Sequence, residues 1–214
     1  MGAFMPCFIS VHFLFIMVSL ASFVGSFPCV AFSGSRVGSS SASVSCRAFL
    51  PVLGGLSASV GVGCASGVDS VVRSAFPSAC VFRVGSFAVG GRVSRASFAL
   101  RSSALVSWCA SRGGLLVAFP LGSCPVGVAV SSSFRGCGSG SWGSVALALG
   151  LGASVLVVSP ASVGSAWFGS LASCFRCVGS APCGGLLWVA SSVPFPRSFG
   201  AGSAPPLGGQ LSLF

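Results

Sequence analysis

Residues 145–158 read VALALGLGASVLVV, an apolar run inside a stretch without charge between Arg135 and Arg176. A membrane-spanning helix needs roughly 20 apolar residues, so fourteen predict a buried segment rather than a span. Gly150 and Gly152 each lower helix propensity by about 1 kcal/mol relative to Ala, and Pro160 ends the segment. The run matches neither the helical nor the strand period, so it specifies no element by pattern alone.

On its N-terminal side lies Gly138-Ser139-Gly140-Ser141-Trp142-Gly143, with Val126 to Val130 before it as a strand candidate. The spacing is that of a G-x-G-x-x-G turn, in which glycines let the backbone approach a pyrophosphate at a helix N-terminus. With 31 glycines in the chain, however, roughly 0.6 such matches arise by chance. The acidic residue that would hold a ribose is missing, because nothing after Asp69 is acidic. On the C-terminal side, Cys174-Phe175-Arg176-Cys177 and Cys183 carry a C-x-x-C pattern whose chance expectation is again roughly 0.6. A zinc site needs a fourth ligand, and neither a second C-x-x-C nor a nearby His supplies one. No cofactor, metal or catalytic residue is assigned from either pattern.

Composition explains why motifs arise so easily. Lys, Asn, Thr, Tyr and Glu are absent, and all but eight residues belong to Ala, Cys, Phe, Gly, Leu, Pro, Arg, Ser, Val and Trp. These ten are the amino acids whose codons can avoid adenine altogether, a property of DNA rather than of folding. A frame that avoids adenine at the second codon position also avoids most stop codons. The composition therefore predicts the uncharacterised product of a fortuitous open reading frame with no specific function.

Charged residues make up 6% of the chain against roughly 25% in an ordinary soluble domain, and hydrophobic residues 53%. With mean hydropathy +0.98, that balance predicts self-association in water. All eleven cations are Arg, and Arg73, Arg83, Arg92, Arg95, Arg101 and Arg112 fall in a strip between residues 73 and 112. Guanidinium groups pair bidentately with phosphates, so nonspecific Arg-dependent binding to nucleic acid or another polyanion is one alternative function. No RNP-like, zinc-finger or helix-turn-helix pattern frames the strip.

Catalysis is disfavoured by the inventory. General acid–base chemistry needs opposed titratable groups, and the chain has one His and one Asp, 57 positions apart at His12 and Asp69. No G-x-S-x-G is present, and one Asp cannot form a carboxylate pair. The reading is of a protein that is not an enzyme. The eleven cysteines leave the redox compartment open, since removing a leader through Ser26 would leave ten.

Four regions follow. Residues 1–27 form an apolar N-terminal segment, uncharged from Cys7 to Phe27 and long enough as a helix to cross a bilayer. It reads as a signal peptide or membrane anchor, giving the first alternative, ahead of the polyanion binder: a small secreted or membrane-anchored hydrophobic protein. Residues 28–67 are rich in Gly and Ser and read as irregular chain. Residues 68–189 form an apolar low-complexity region in which Val81–Val84, Phe87–Val89 and Arg92–Arg95 are short strands, with Gly90-Gly91 as a hairpin turn. Residues 190–214 read as a Pro/Gly-rich tail. The resulting fold class is no unique globular fold: an N-terminal apolar helix, then mostly irregular chain with short strand and helix segments.

Overall fold

The computed structural model describes residues 11–88 and 90–191. The elements run α1 (Val11–Gly25), β1 (Cys29–Gly34), α2 (Ser41–Phe49), β2 (Ser59–Gly63), α3 (Val68–Ala75), β3 (Cys80–Phe82), α4 (Arg95–Ala110) and β4 (Leu115–Phe119). They continue with α5 (Gly140–Gly150), β5 (Ser154–Ser159), a kinked 3-10 segment (Ser165–Cys174), β6 (Arg176–Ser180) and β7 (Leu186–Ala190). Among the described residues, seven strands make one sheet in the order β3-β2-β1-β4-β5-β7-β6. The first five are parallel, and β7 runs antiparallel to both β5 and β6.

Alternation along each central strand feeds two cores. Val30 and Phe32 of β1, Leu115, Val117 and Phe119 of β4, and Leu156 and Val158 of β5 face α1, α2 and α3. Cys29 and Ala31, Leu116 and Ala118, and Val155 and Val157 face α4, α5 and the 3-10 segment. Because helices cover both faces, a parallel strand is apolar on both sides and reads as a continuous hydrophobic run. The composition that predicts collapse is thus also what the centre of a doubly covered sheet requires.

This architecture overturns the expectation of no unique globular fold. The run 145–158 is not one buried segment: its first half ends α5, Gly152 turns the chain at φ 74°, and its second half becomes β5. The amides of Leu151, Gly152 and Ala153 bind the carbonyls of Leu147, Leu149 and Ala148, closing the helix before the strand begins. Gly150 lies against the Ser131 carbonyl, where a Cβ would collide. Neither glycine is a random interruption.

Residues 28–67, expected to be irregular, contain β1, α2 and β2, and residues 68–189 are no low-complexity tract but the rest of the sheet and its helices. Gly61 lies in β2 because Trp108 of α4 packs where a Cβ would stand, 2.5 Å from the ring. The expected hairpin does not form among the described residues, outside which Val89 lies: β3 pairs in parallel with β2, Val84–Phe87 form a 3-10 turn, and Arg95 opens α4. Gly90 and Gly91 do adopt positive φ, in the loop that leads to α4.

Serine supplies the helix caps that carboxylates and amides usually provide. Ser40 accepts from the Ser43 amide at α2, Ser139 accepts from the Trp142 amide at α5, and Ser94 forms a reciprocal capping box with Ser97 at α4. The expectation of a hydrophobic membrane segment is corrected too. The described part of residues 1–27 is a 15-residue helix whose Leu20, Phe23 and Val24 are buried against the sheet with Phe27. Among the described residues, no helix is long and apolar enough to cross a membrane. Met1 to Ser10 and the tail from residue 192 lie outside the described residues.

Candidate functional site

Strand order reverses between β1 and β4. From β1 the chain moves outward through α2 to β2, whereas α4 carries it back across the sheet to β4 on the other side. Loops leaving the carboxyl ends of β1 and β4 therefore diverge, and a crevice opens at this switch point, the usual ligand position in open α/β sheets. The crevice has a volume of about 780 Å³.

One wall is Gly34-Ser35-Arg36 at the end of β1. Gly34 is required by the approach of α3, since a Cβ there would lie 2.5 Å from Val68. The Val68 amide donates to the Ser35 carbonyl at 3.0 Å, and Ser66 Oγ donates to the Arg36 carbonyl at 2.5 Å. Gly67, at φ 71°, packs its backbone directly on Ser35 and Arg36. Arg36 is thereby fixed at its backbone while its guanidinium lies 4.3 Å above the Phe98 ring. From α4, Arg95, Phe98 and Ser102 complete this side.

Behind the wall stands the chain's only acidic side chain. Asp69 Oδ2 accepts from Arg101 Nη1 at 2.9 Å and from the Ala65 amide at 3.1 Å. Arg73 Nη1 donates to the carbonyls of Gly63 and Ala65 at 2.7 and 3.0 Å, so one network holds the β2 loop against α3 and α4. Burial pushes the Asp69 carboxyl above its usual range, and Arg101 and the Ala65 amide pull it part of the way back. Gly63 leaves room for this pair, because a Cβ there would collide with both Arg101 and Asp69.

The opposite wall is the loop from β4 to α5. Trp142 Nε1 donates to the Gly122 carbonyl at 2.9 Å, and its ring packs edge-to-face on Trp167 and Phe168 at 5.1 and 5.6 Å. The G-x-G-x-x-G sequence, whose spacing alone assigns no site, opens α5 here. Gly138 takes φ 89°, and Gly143 permits a backbone approach in which a Cβ would lie 2.8 Å from the Gly136 Cα. Ser139 caps the Trp142 amide, leaving the Gly140 and Ser141 amides at the open first turn. Arg36 reaches across to this turn: its Nη2 is 4.0 Å from where a Cβ on Gly140 would stand.

The lining therefore combines two guanidinium groups, several serine hydroxyls and a helix N-terminus, with no carboxylate. Such a set binds anions by charge and by directed donors. The Arg strip expected over residues 73–112 is dispersed. Arg73 and Arg101 brace the framework, Arg112 lies 5.2 Å over the Trp108 ring at the far end of α4, Arg95 enters the crevice, and Arg83 and Arg92 are exposed. Arg36 lay outside that strip. Its signal in the sequence is Ser33-Gly34-Ser35-Arg36 immediately after the apolar run Cys29–Phe32.

The other residues weighed from the sequence lie elsewhere. Cys174 ends the 3-10 segment, while Cys177 is exposed on β6. Among the described residues, all ten cysteines are free and no three His, Cys, Asp or Glu side chains cluster as a metal site would require. Burial pushes the thiols of Cys46 and Cys109 up to about 12, which keeps them protonated at neutral pH. No protein family, curated protein or solved structure matches this chain.

Proposed function

We propose that this protein is a binding domain for a phosphorylated ligand of nucleotide size, held in the switch-point crevice, rather than the functionless product of a fortuitous frame. The observation that carries the reading is the convergence of Arg36, Arg95 and the first turn of α5 on a crevice whose lining holds no carboxylate. In this arrangement the phosphate lies at the Gly140 and Ser141 amides and is neutralised by Arg36. Phe98 and Phe134 offer apolar surface for the remainder of the ligand.

A second feature supports the same reading. Arg95 is the first residue of α4, where a cation opposes the helix's positive end by roughly 0.3–1 kcal/mol. A bound anion between Arg95 and Arg36 turns that repulsion into attraction. The lining contains no His, Asp, Glu or Cys to serve as base or nucleophile, so the proposed role is binding without catalysis.

Isothermal titration calorimetry with ADP and with pyrophosphate tests the proposal. Both should bind the native protein and weaken at least tenfold in Arg36→Ala, whereas Arg47→Ala, on a different surface, should bind as before. Absence of binding to the folded native protein, or equal weakening in both variants, would reject the site.

A further inference from the structure

Five of the eight exposed arginines among the described residues lie around the crevice, while Arg47, Arg112 and Arg176 lie elsewhere. Loops that follow parallel strands emerge at the carboxyl edge of a sheet. By that rule Arg36 (after β1), Arg83 and Arg92 (between β3 and α4), Arg95 (first in α4) and Arg135 (between β4 and α5) all belong to one edge, and all five are exposed. Asp69, the chain's single acidic side chain, is only 5% exposed and is paired with Arg101, so no acidic side chain offsets these five. Arg112, by contrast, is carried by the opposite end of α4, and Arg176 begins β6, which runs in the same direction as β5.

We infer that this edge is a binding surface for single-stranded nucleic acid, with one nucleotide seated in the crevice and the flanking phosphates on Arg83, Arg92 and Arg135. The inference rests on the proposed phosphate site and extends it from a single nucleotide to a strand. A row of separated guanidinium groups fits a polymer with regularly repeated phosphates better than a compact ligand. The crevice favours a single strand over a duplex. Its aromatic side chains, Phe98 of α4 and Phe134 of the loop from β4 to α5, stand on opposite walls, and a cleft so bounded admits an unpaired base but not a base-paired one.

Fluorescence anisotropy with a labelled oligonucleotide of about a dozen nucleotides, titrated at several salt concentrations, reads this directly. The variant Arg83→Ala/Arg92→Ala/Arg135→Ala leaves the crevice intact. It should weaken the oligonucleotide at least tenfold and reduce the slope of log affinity against log salt by about 2, since each phosphate contact on a single strand contributes about 0.7. ADP binding should be unchanged in the same variant. Oligonucleotide binding with an unaltered salt slope in the triple variant overturns the inference, as does no oligonucleotide binding to native protein that still binds ADP. Tighter binding of duplex than of single strand, or of anionic phosphatidylserine vesicles than of either, also overturns it. Loss of ADP binding from native protein instead rejects the phosphate site itself.

Discussion

The two walls of the crevice are built by opposite means. The β1 wall is braced by charge: Asp69, Arg101 and Arg73 tie the β2 loop to two helices, and that loop packs on Ser35 and Arg36. The β4 wall is braced by aromatic surface, through Trp142 on Trp167 and Phe168 with one indole hydrogen bond to Gly122. In a chain with one carboxylate, a charge-based brace can be built once. The second wall uses what the composition supplies in quantity, aromatic rings and serine.

The sharpest way to break this comparison is Arg101→Met. Removing one member of a buried pair typically costs about 3–5 kcal/mol, because the other charge is left without compensation. Urea unfolding at pH 7 should show a loss of that order. The pH dependence has a definite sign. Without Arg101 the Asp69 carboxyl keeps only the weaker pull of Arg73 and the Ala65 amide against its burial, so its folded value rises further above the unfolded one. The folded variant then takes up a proton more readily than the unfolded chain, and its stability should increase as pH falls through that raised value. An unfolding free energy that changes by less than about 0.5 kcal/mol at pH 7, or falls on mild acidification, would place the brace elsewhere.

Trp142→Phe probes the second wall. The ring contacts are largely kept but the Gly122 carbonyl loses its donor, which should cost about 1–2 kcal/mol by thermal or urea unfolding. The chief effect should fall on ligand affinity, since Gly122 and Trp142 both line the crevice. Ser139→Ala removes the α5 cap for about 1 kcal/mol, and its loss should be additive with Arg101→Met because the two braces share no partner. A coupling above roughly 0.5 kcal/mol in that double variant would mean that the walls act as one unit.

The smallest effect concerns thiols. Cys46 and Cys109 are buried and protonated, so they should stay unmodified by iodoacetamide at pH 8 in folded protein, while the exposed Cys80, Cys137 and Cys177 react. Mass spectrometry of the labelled peptides distinguishes the two groups. Modification of Cys109 at the rate of Cys137 would show that α4 opens locally and that the first wall is less firmly held than its hydrogen bonds imply.

The sequence carried more of the fold than its composition suggested, in signals that demanded packing context. Val145–Val158 held both a helix end and a strand, but Gly152 marks the turn between them only when Ala153 bonds back to Ala148. Residues 28–67 read as irregular because they are rich in Gly and Ser, and within them β2, Ser59–Gly63, alternates Val with Gly. Those glycines are dictated by Trp108 and by the Asp69–Arg101 pair, contacts remote in sequence. The G-x-G-x-x-G pattern is visible in the sequence, but its spacing alone does not exceed chance in a chain with 31 glycines. What separates it from a chance match is Gly143 against the Gly136 backbone and Arg36 facing Gly140, neither of which spacing can reveal. Arg36 itself needed knowledge that the strand before it lies at the centre of the sheet.

The serine caps have one more consequence. A helix capped by Asp carries a negative charge at its own start, which offsets the positive potential that the aligned peptide groups create there. A hydroxyl satisfies the same amide and contributes no net charge. At α2, α4 and α5, Ser40, Ser94 and Ser139 therefore leave the electric field at the helix start unopposed. All three helices follow parallel strands and begin at the same edge of the sheet. A composition with a single acidic side chain thus leaves this edge with an attractive field for anions supplied by the backbone itself.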